Sequence, residues 1–220
     1  MKLLLFSDLD SIAVKDVETQ LIDLTRKNKL IIGYISSCPD PTREFYGKTK
    51  DYYARFGAKV TPYLDLETGF NNTYLDLVFQ ADAIHLSGGN TYQFFHWIIQ
   101  RGLIQRLQNY ARSRVIIGVS AGAIIMTPDI SYSKLCGDKN DIGLKNLAGL
   151  GLVNFCFVPH AAYKTKVTQE ILLKSQQDKS RVVVACDRDW IAIDGLNLNI
   201  YGNPQLVIDG KIKNIQNLAQ

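Results

Sequence analysis

With 220 residues, 46% hydrophobic and 21% charged, the chain has the make-up of an ordinary soluble globular protein, compatible with one α/β domain over residues 1–220. Its 25 lysines and arginines exceed its 21 aspartates and glutamates by four, and the basic residues are scattered, so no nucleic-acid footprint is present. The four cysteines, Cys38, Cys136, Cys156 and Cys186, lack C-x-x-C spacing, which predicts free thiols and neither a disulfide framework nor a metal site.

The start, MKLLLFSDLDS, holds a short apolar run that meets Asp8 and Asp10 at once. That run is too short for a signal-peptide core, and no run reaches transmembrane length, so the expectation is a cytoplasmic protein without a membrane partner. Buried strands are predicted at Lys2 to Phe6, Leu30 to Ser36, Val60 to Leu66, Ala83 to Leu86 and Val115 to Val119, because their apolar runs are nearly continuous. Between them, Val17, Leu21 and Leu24 share one helical face and Tyr46 to Phe56 is an aromatic-rich amphipathic segment. Asn90 to Ser113 has room for two helices broken near Gly102. After position 120 the pattern loosens into a polar stretch, Ser131 to Asn146, then a strand at Phe155 to Val158 and a helix at Thr165 to Gln177. Val182 to Ile208 reads as three short strands separated by turns. The fold class is therefore α/β, a mostly parallel sheet flanked by helices, with short antiparallel strands at the end of the chain.

GVSAGAI, Gly118 to Ile124, ends one predicted strand and opens a short helix, Ala121 to Met126. A strand that turns straight into a helix through G-x-S-x-G holds its serine on a strained corner, with the hydroxyl above the sheet beside unsatisfied helix N–H groups. Ser120 is thus a candidate nucleophile; the plainer alternative makes it the helix N-cap. LSGGNTYQFF, Leu86 to Phe95, repeats the arrangement after another strand, with Gly88 and Gly89 able to turn backbone N–H groups outward and Asn90 or Thr91 able to cap the helix. The chain lacks the glycine spacing of a nucleotide-binding loop, and no cofactor is expected. Of the three histidines, His85 lies inside a predicted strand and His96 in an apolar helix, where packing roles are expected. His160 follows a strand and Pro159, at a strand end where its imidazole could take the Ser120 proton.

GVSAGAI after LSGGNT, with VPHA downstream, resembles the peptidase E and cyanophycinase group of serine peptidases, over most of the chain and in the same order. The resemblance implies a class I glutamine amidotransferase-like fold, Ser120 as nucleophile, His160 as general base, and the backbone amides of Gly89 and Ala121 as oxyanion hole. It places the third member in VVACDRDWIAI, Val183 to Ile193, where Asp187 is favoured and Asp189 is second; the family also has an aspartate between the Ser and the His, for which Asp138 and Asp141 are the candidates. Its members include peptidases that remove an N-terminal aspartate, which implies a small peptide substrate with an acidic first residue and a cation to meet it. Arg188 is the candidate cation, with Lys164 and Lys166 behind it. A monomer or homodimer is expected. An esterase or amidase on the same triad, or a silent ligand-binding relative, are the alternatives. The α/β-hydrolase reading fails because no histidine follows His160.

Overall fold

The computed structural model describes residues 1–162 and 167–219. Five parallel strands, β1 (Lys2–Phe6), β2 (Ile31–Ser36), β3 (Lys59–Asp65), β4 (Ala83–Leu86) and β5 (Val115–Val119), form the body of the main sheet. Two later strands, β8 (Trp190–Asp194) and β9 (Asn197–Tyr201), extend it antiparallel beyond β1, giving the order β3-β2-β4-β5-β1-β8-β9. Its central strands read as apolar runs because both faces are covered. Leu3 and Leu5 of β1 face one core with α3 (Asn72–Gln80), α4 (Thr91–Gln100) and α5 (Ile104–Ala111); Leu4 and Phe6 face the other with α1 (Val14–Thr25) and α2 (Glu44–Ala54).

The strand and helix expectations for the first half agree with these bounds to within about two residues at the strands, apart from α3. That helix starts on a side-chain cap, Asn71 accepting from the Tyr74 N–H, and buries only Leu75 and Val78, so its apolar stripe is too thin to mark it in the sequence.

The end of the chain departs from a simple antiparallel extension. A separate sheet of order β11-β10-β7-β6 is built from β6 (Cys156–Val158), β7 (Arg181–Val184), β10 (Gln205–Ile208) and β11 (Lys211–Lys213). Here β10 is antiparallel to both β7 and β11, but β6 and β7 run parallel; residues 182–208 hold four strands, β7 to β10, where three were expected, because a two-residue turn at Gly195 and Leu196 separates β8 from β9. Phe157, Val183 and Leu206 pack one face of this sheet onto the main core, while Val158, Val182 and Val207 face a small third core that includes Ile171 of α7 (Gln169–Asp178). The expected helix from Thr165 begins, within the described residues, at Gln169; positions 165 and 166 lie outside them. Residues 131–146 hold a 3-10 turn, Ile130–Cys136, followed by irregular chain. None of the four cysteines is in a disulfide, and burial pushes the Cys136 and Cys156 thiols up to about 12.

His85 is the polar residue at the centre of this architecture. It lies in β4 stacked on Tyr34 of β2, with ring centroids 5.1 Å apart, and its Nδ1 is 3.2 Å from the Tyr53 hydroxyl. Burial holds its pKa down at about 3, so the ring is neutral at ordinary pH. Between that value and the ordinary 6.5 the unfolded chain binds a proton that the folded chain refuses, and stability must fall as pH drops through this window. Urea unfolding of wild type and His85→Gln across that window should show the wild type losing up to about 1.4 kcal/mol more per pH unit than the variant.

Candidate active site

The carboxyl ends of β1, β2, β4 and β5 lie together, and in open α/β sheets this edge is where ligands bind. At the end of β5 the chain reverses through Ser120, whose backbone has φ 51° and ψ −112° before α6 (Ala121–Ile124) begins. Such a conformation costs a non-glycine residue of the order of 1–3 kcal/mol and persists only where the surroundings impose it. They do so here. The Ser120 N–H donates to the Phe6 carbonyl at 3.0 Å, and Gly122 packs so closely on β4 that a Cβ would lie 2.1 Å from the Leu86 carbonyl oxygen. No side-chain capping bond joins Ser120 to its own helix, which removes the N-cap reading.

The neighbouring turn after β4 does carry a cap, Asn90 accepting from the Gln93 N–H, and it brings Gly88 beside the serine: a Cβ there would sit 3.5 Å from the Ser120 Cβ. Gly89 has φ 135°, and a Cβ would run into Ser37 Oγ, so this corner admits glycine alone.

The second sheet delivers the partners of Ser120. Because β6 and β7 are parallel and in register at Val158 and Val184, the residues just past their carboxyl ends are neighbours. His160 follows β6 in a left-handed conformation, φ 58°. The Ala185 N–H bonds to the Val158 carbonyl, the Ala161 N–H to the Ala185 carbonyl, and the His160 N–H donates to Ser7 Oγ at 2.8 Å. The imidazole is thereby aimed so that Nε2 lies 2.9 Å from Ser120 Oγ while Nδ1 lies 2.7 Å from Asp187 Oδ1. Ionised Asp187 can only accept, so Nδ1 carries the proton, Nε2 accepts, and the serine hydroxyl donates to it. His160 and Asp187 are about half exposed, with side-chain exposures of 45% and 56%.

Asp189 and Asp138 are occupied elsewhere. Buried Asp189 accepts from the Cys186 and Asn203 N–H groups at 2.8 and 2.7 Å and so shapes the turn that presents Asp187. Asp138 accepts from the Thr91 N–H at 2.9 Å, at the start of α4, and Asp141 is exposed. Arg188 is exposed and does not line the cavity beside Ser120; Lys164 and Lys166 lie outside the described residues. Among the described residues the cation that lines the cavity is Lys48, which pairs with Glu44 at 2.8 Å. The described residues include no cluster of three or more His, Cys, Asp or Glu side chains suited to a metal ion, and no helix among them is long and apolar enough to cross a membrane.

Residues 3–201 match the model of peptidase family S51. The chain belongs to this family. Curated relatives are the uncharacterized peptidase PM1590 of Pasteurella multocida, 33% identical over 99 residues covering 44% of this chain and 48% of that one, and the uncharacterized peptidase Lin0382 of Listeria innocua, 35% identical over 96 residues covering 41% and 46%. The chain thus spans about half the length of the curated relatives it matches. Among solved structures it is similar to a candidate peptidase E protein from Listeria monocytogenes EGD-e, with TM-score 0.72, 23% identity and coverage of 90% of this chain and 96% of that one. It is also similar to a peptidase from an acI-B1 Actinobacterium, with TM-score 0.65, 17% identity and coverage of 96% and 92%. At these identities the structural likeness speaks for the fold, a family S51 α/β architecture.

Sequence reasoning passed over Ser7, which stands just past β1 and carries no motif; its signal is only its place at a strand's carboxyl end. Its Oγ takes up the N–H of strained His160, so Ser7→Ala leaves that group without its acceptor. The expected outcome is a turnover number about tenfold or more lower with little change in KM, because a displaced imidazole would alter the reacting geometry more than binding. Steady-state kinetics on any turned-over peptide check this.

Proposed function

We propose that this family S51 protein is a serine peptidase acting on small peptides through Ser120, His160 and Asp187. The observation that carries the reading is the continuous pair of hydrogen bonds, Ser120 Oγ to His160 Nε2 at 2.9 Å and His160 Nδ1 to Asp187 Oδ1 at 2.7 Å. In this mechanism Ser120 Oγ attacks the scissile carbonyl carbon as its proton passes to His160 Nε2, and Asp187 stabilises the imidazolium and fixes the tautomer. The backbone N–H groups of Gly89 and Ala121 stabilise the oxyanion, Ala121 standing at the first turn after the elbow. Collapse of the tetrahedral intermediate breaks the C–N bond, the leaving amine takes the His160 proton, and an acyl-Ser120 ester remains. Water, deprotonated by His160, hydrolyses that ester and restores the enzyme.

Support for an acidic first residue is thin within the described residues. Lys48 lines the cavity, but Asp8, Asp10 and Asp40 line it as well, and the carboxylates outnumber the cation.

Ser120→Ala and His160→Ala should each lower kcat/KM by about three orders of magnitude or more, and the double variant should add little, because the groups act as a unit. Asp187→Asn should cost about a hundredfold or more. Asp138→Asn, which keeps an oxygen for the Thr91 N–H, should stay within about tenfold of wild type. Kinetics on a dipeptide panel, with labelling of Ser120 by a fluorophosphonate mapped by mass spectrometry, test the assignment. Retained activity in Ser120→Ala would overturn it.

A further inference from the structure

The cavity that opens beside Ser120 has a volume of about 400 Å³ and runs away from the triad, across the Gly88-Gly89 turn, to the ends of β2 and β4. Its wall at the ends of β2 and β4 is polar yet uncharged: Tyr34, Ser36, Ser37, His85 and Ser87 all line it, and all are buried. None of these side chains takes part in the proposed hydrolysis. We propose, resting on that reading of the site, that this cavity selects a substrate carrying a neutral carboxamide side chain, that of asparagine or glutamine, over one carrying a carboxylate.

The hydrogen-bond directions carry the argument. Each serine hydroxyl has a backbone carbonyl as acceptor for its proton: Ser36 Oγ donates to the Cys38 carbonyl, and both Ser37 Oγ and Ser87 Oγ donate to the Gly88 carbonyl. One lone pair of Ser87 Oγ is taken by the Ser37 N–H at 2.8 Å. What these oxygens still offer a ligand is therefore lone pairs, which a carboxamide NH₂ can meet and a carboxylate cannot. The opposite requirement comes from Tyr34 and His85. The phenol of Tyr34 is pushed up by burial and stays a neutral O–H; His85 stays neutral, and since Nδ1 faces the Tyr53 hydroxyl, Nε2 is the nitrogen left to meet a ligand. A carboxamide, having both a carbonyl oxygen and N–H donors, can pair with Nε2 in either tautomer. A carboxylate can pair with only one of them.

Charge points the same way. Asp8, Asp10 and Asp40 line the cavity, whereas Lys48 is the lining cation among the described residues and is already paired with Glu44. A substrate carboxylate would enter a net negative site and lose water without gaining a dedicated counter-charge. The α-ammonium group of a short peptide meets no such conflict.

Asn-Leu, Gln-Leu, Asp-Leu and Ala-Leu discriminate the possibilities, measured as kcat/KM on wild type and as calorimetric binding to Ser120→Ala. Asn-Leu or Gln-Leu should exceed Asp-Leu by about tenfold or more in both measurements. Tyr34→Phe and Ser87→Ala should each shrink the carboxamide-over-alanine preference by about five- to tenfold, chiefly through KM, with Ser87→Ala as the control should Tyr34→Phe fold poorly. Asp-Leu bound or cleaved as well as both carboxamides, or no dipeptide bound at all, would overturn the inference. A fluorophosphonate adduct on Ser120 together with a preference for Asp-Leu would sink the cavity assignment and spare the hydrolase reading. Carboxamide-selective binding to Ser120→Ala without hydrolysis by wild type would do the reverse.

Discussion

Everything at this site depends on a single backbone constraint: Ser120 must hold a positive φ between a strand and a helix. The fold imposes that conformation by steric and hydrogen-bonding means, the approach of Gly122 to the Leu86 carbonyl on one side and the Ser120 N–H to Phe6 bond on the other. Both contacts are made to strands flanking β5, so the elbow is held by the centre of the main sheet. A side chain placed this way makes no capping bond, and its hydroxyl faces the imidazole of His160.

What was legible in the sequence follows the range of the interactions involved. The elbow and the Gly88-Gly89 turn are local motifs, each readable from a handful of residues, and the continuous apolar runs of β1 to β5 reflect burial on both faces. The partner of His160 was not separable by sequence, since Asp187 and Asp189 flank Arg188 in the same turn. The turn gives them opposite contacts: Asp189 faces inward onto two backbone N–H groups, and Asp187 faces the imidazole. Asp138 illustrates the same limit, because its partner, the Thr91 N–H, lies 47 residues away in sequence. Arg188 was named for its nearness in the chain to Asp187, but adjacent residues in a tight turn point apart. The parallel pairing of β6 with β7 was equally illegible, as short strands of three and four residues carry too little pattern to fix their direction.

His85 shows how a packing residue and a ligand-facing residue can be one and the same. Its apolar strand context, Ala83 to Leu86, correctly signals burial. Burial, however, is what keeps the ring neutral, and the stack of Tyr63, Tyr34 and His85 makes a wall that is both core and cavity lining. The same desolvation that makes the fold sensitive to acid thus supplies an uncharged polar surface to the site.

The division of the proposed triad between two sheets has a mechanical side. Ser120 is anchored to the large sheet, whereas His160 and Asp187 ride together on the small one, tied across by the Ser7 bond and by the apolar contact of Phe157, Val183 and Leu206 with the main core. A slide of one sheet over the other would leave the imidazole–carboxylate pair intact and every strand still paired, yet open the gap between Ser120 and His160. Since a displacement of about 1 Å is enough to cost roughly a hundredfold in rate, the hydrolysis proposed for this site would hang on the packing between the two sheets as much as on the strands that carry its residues.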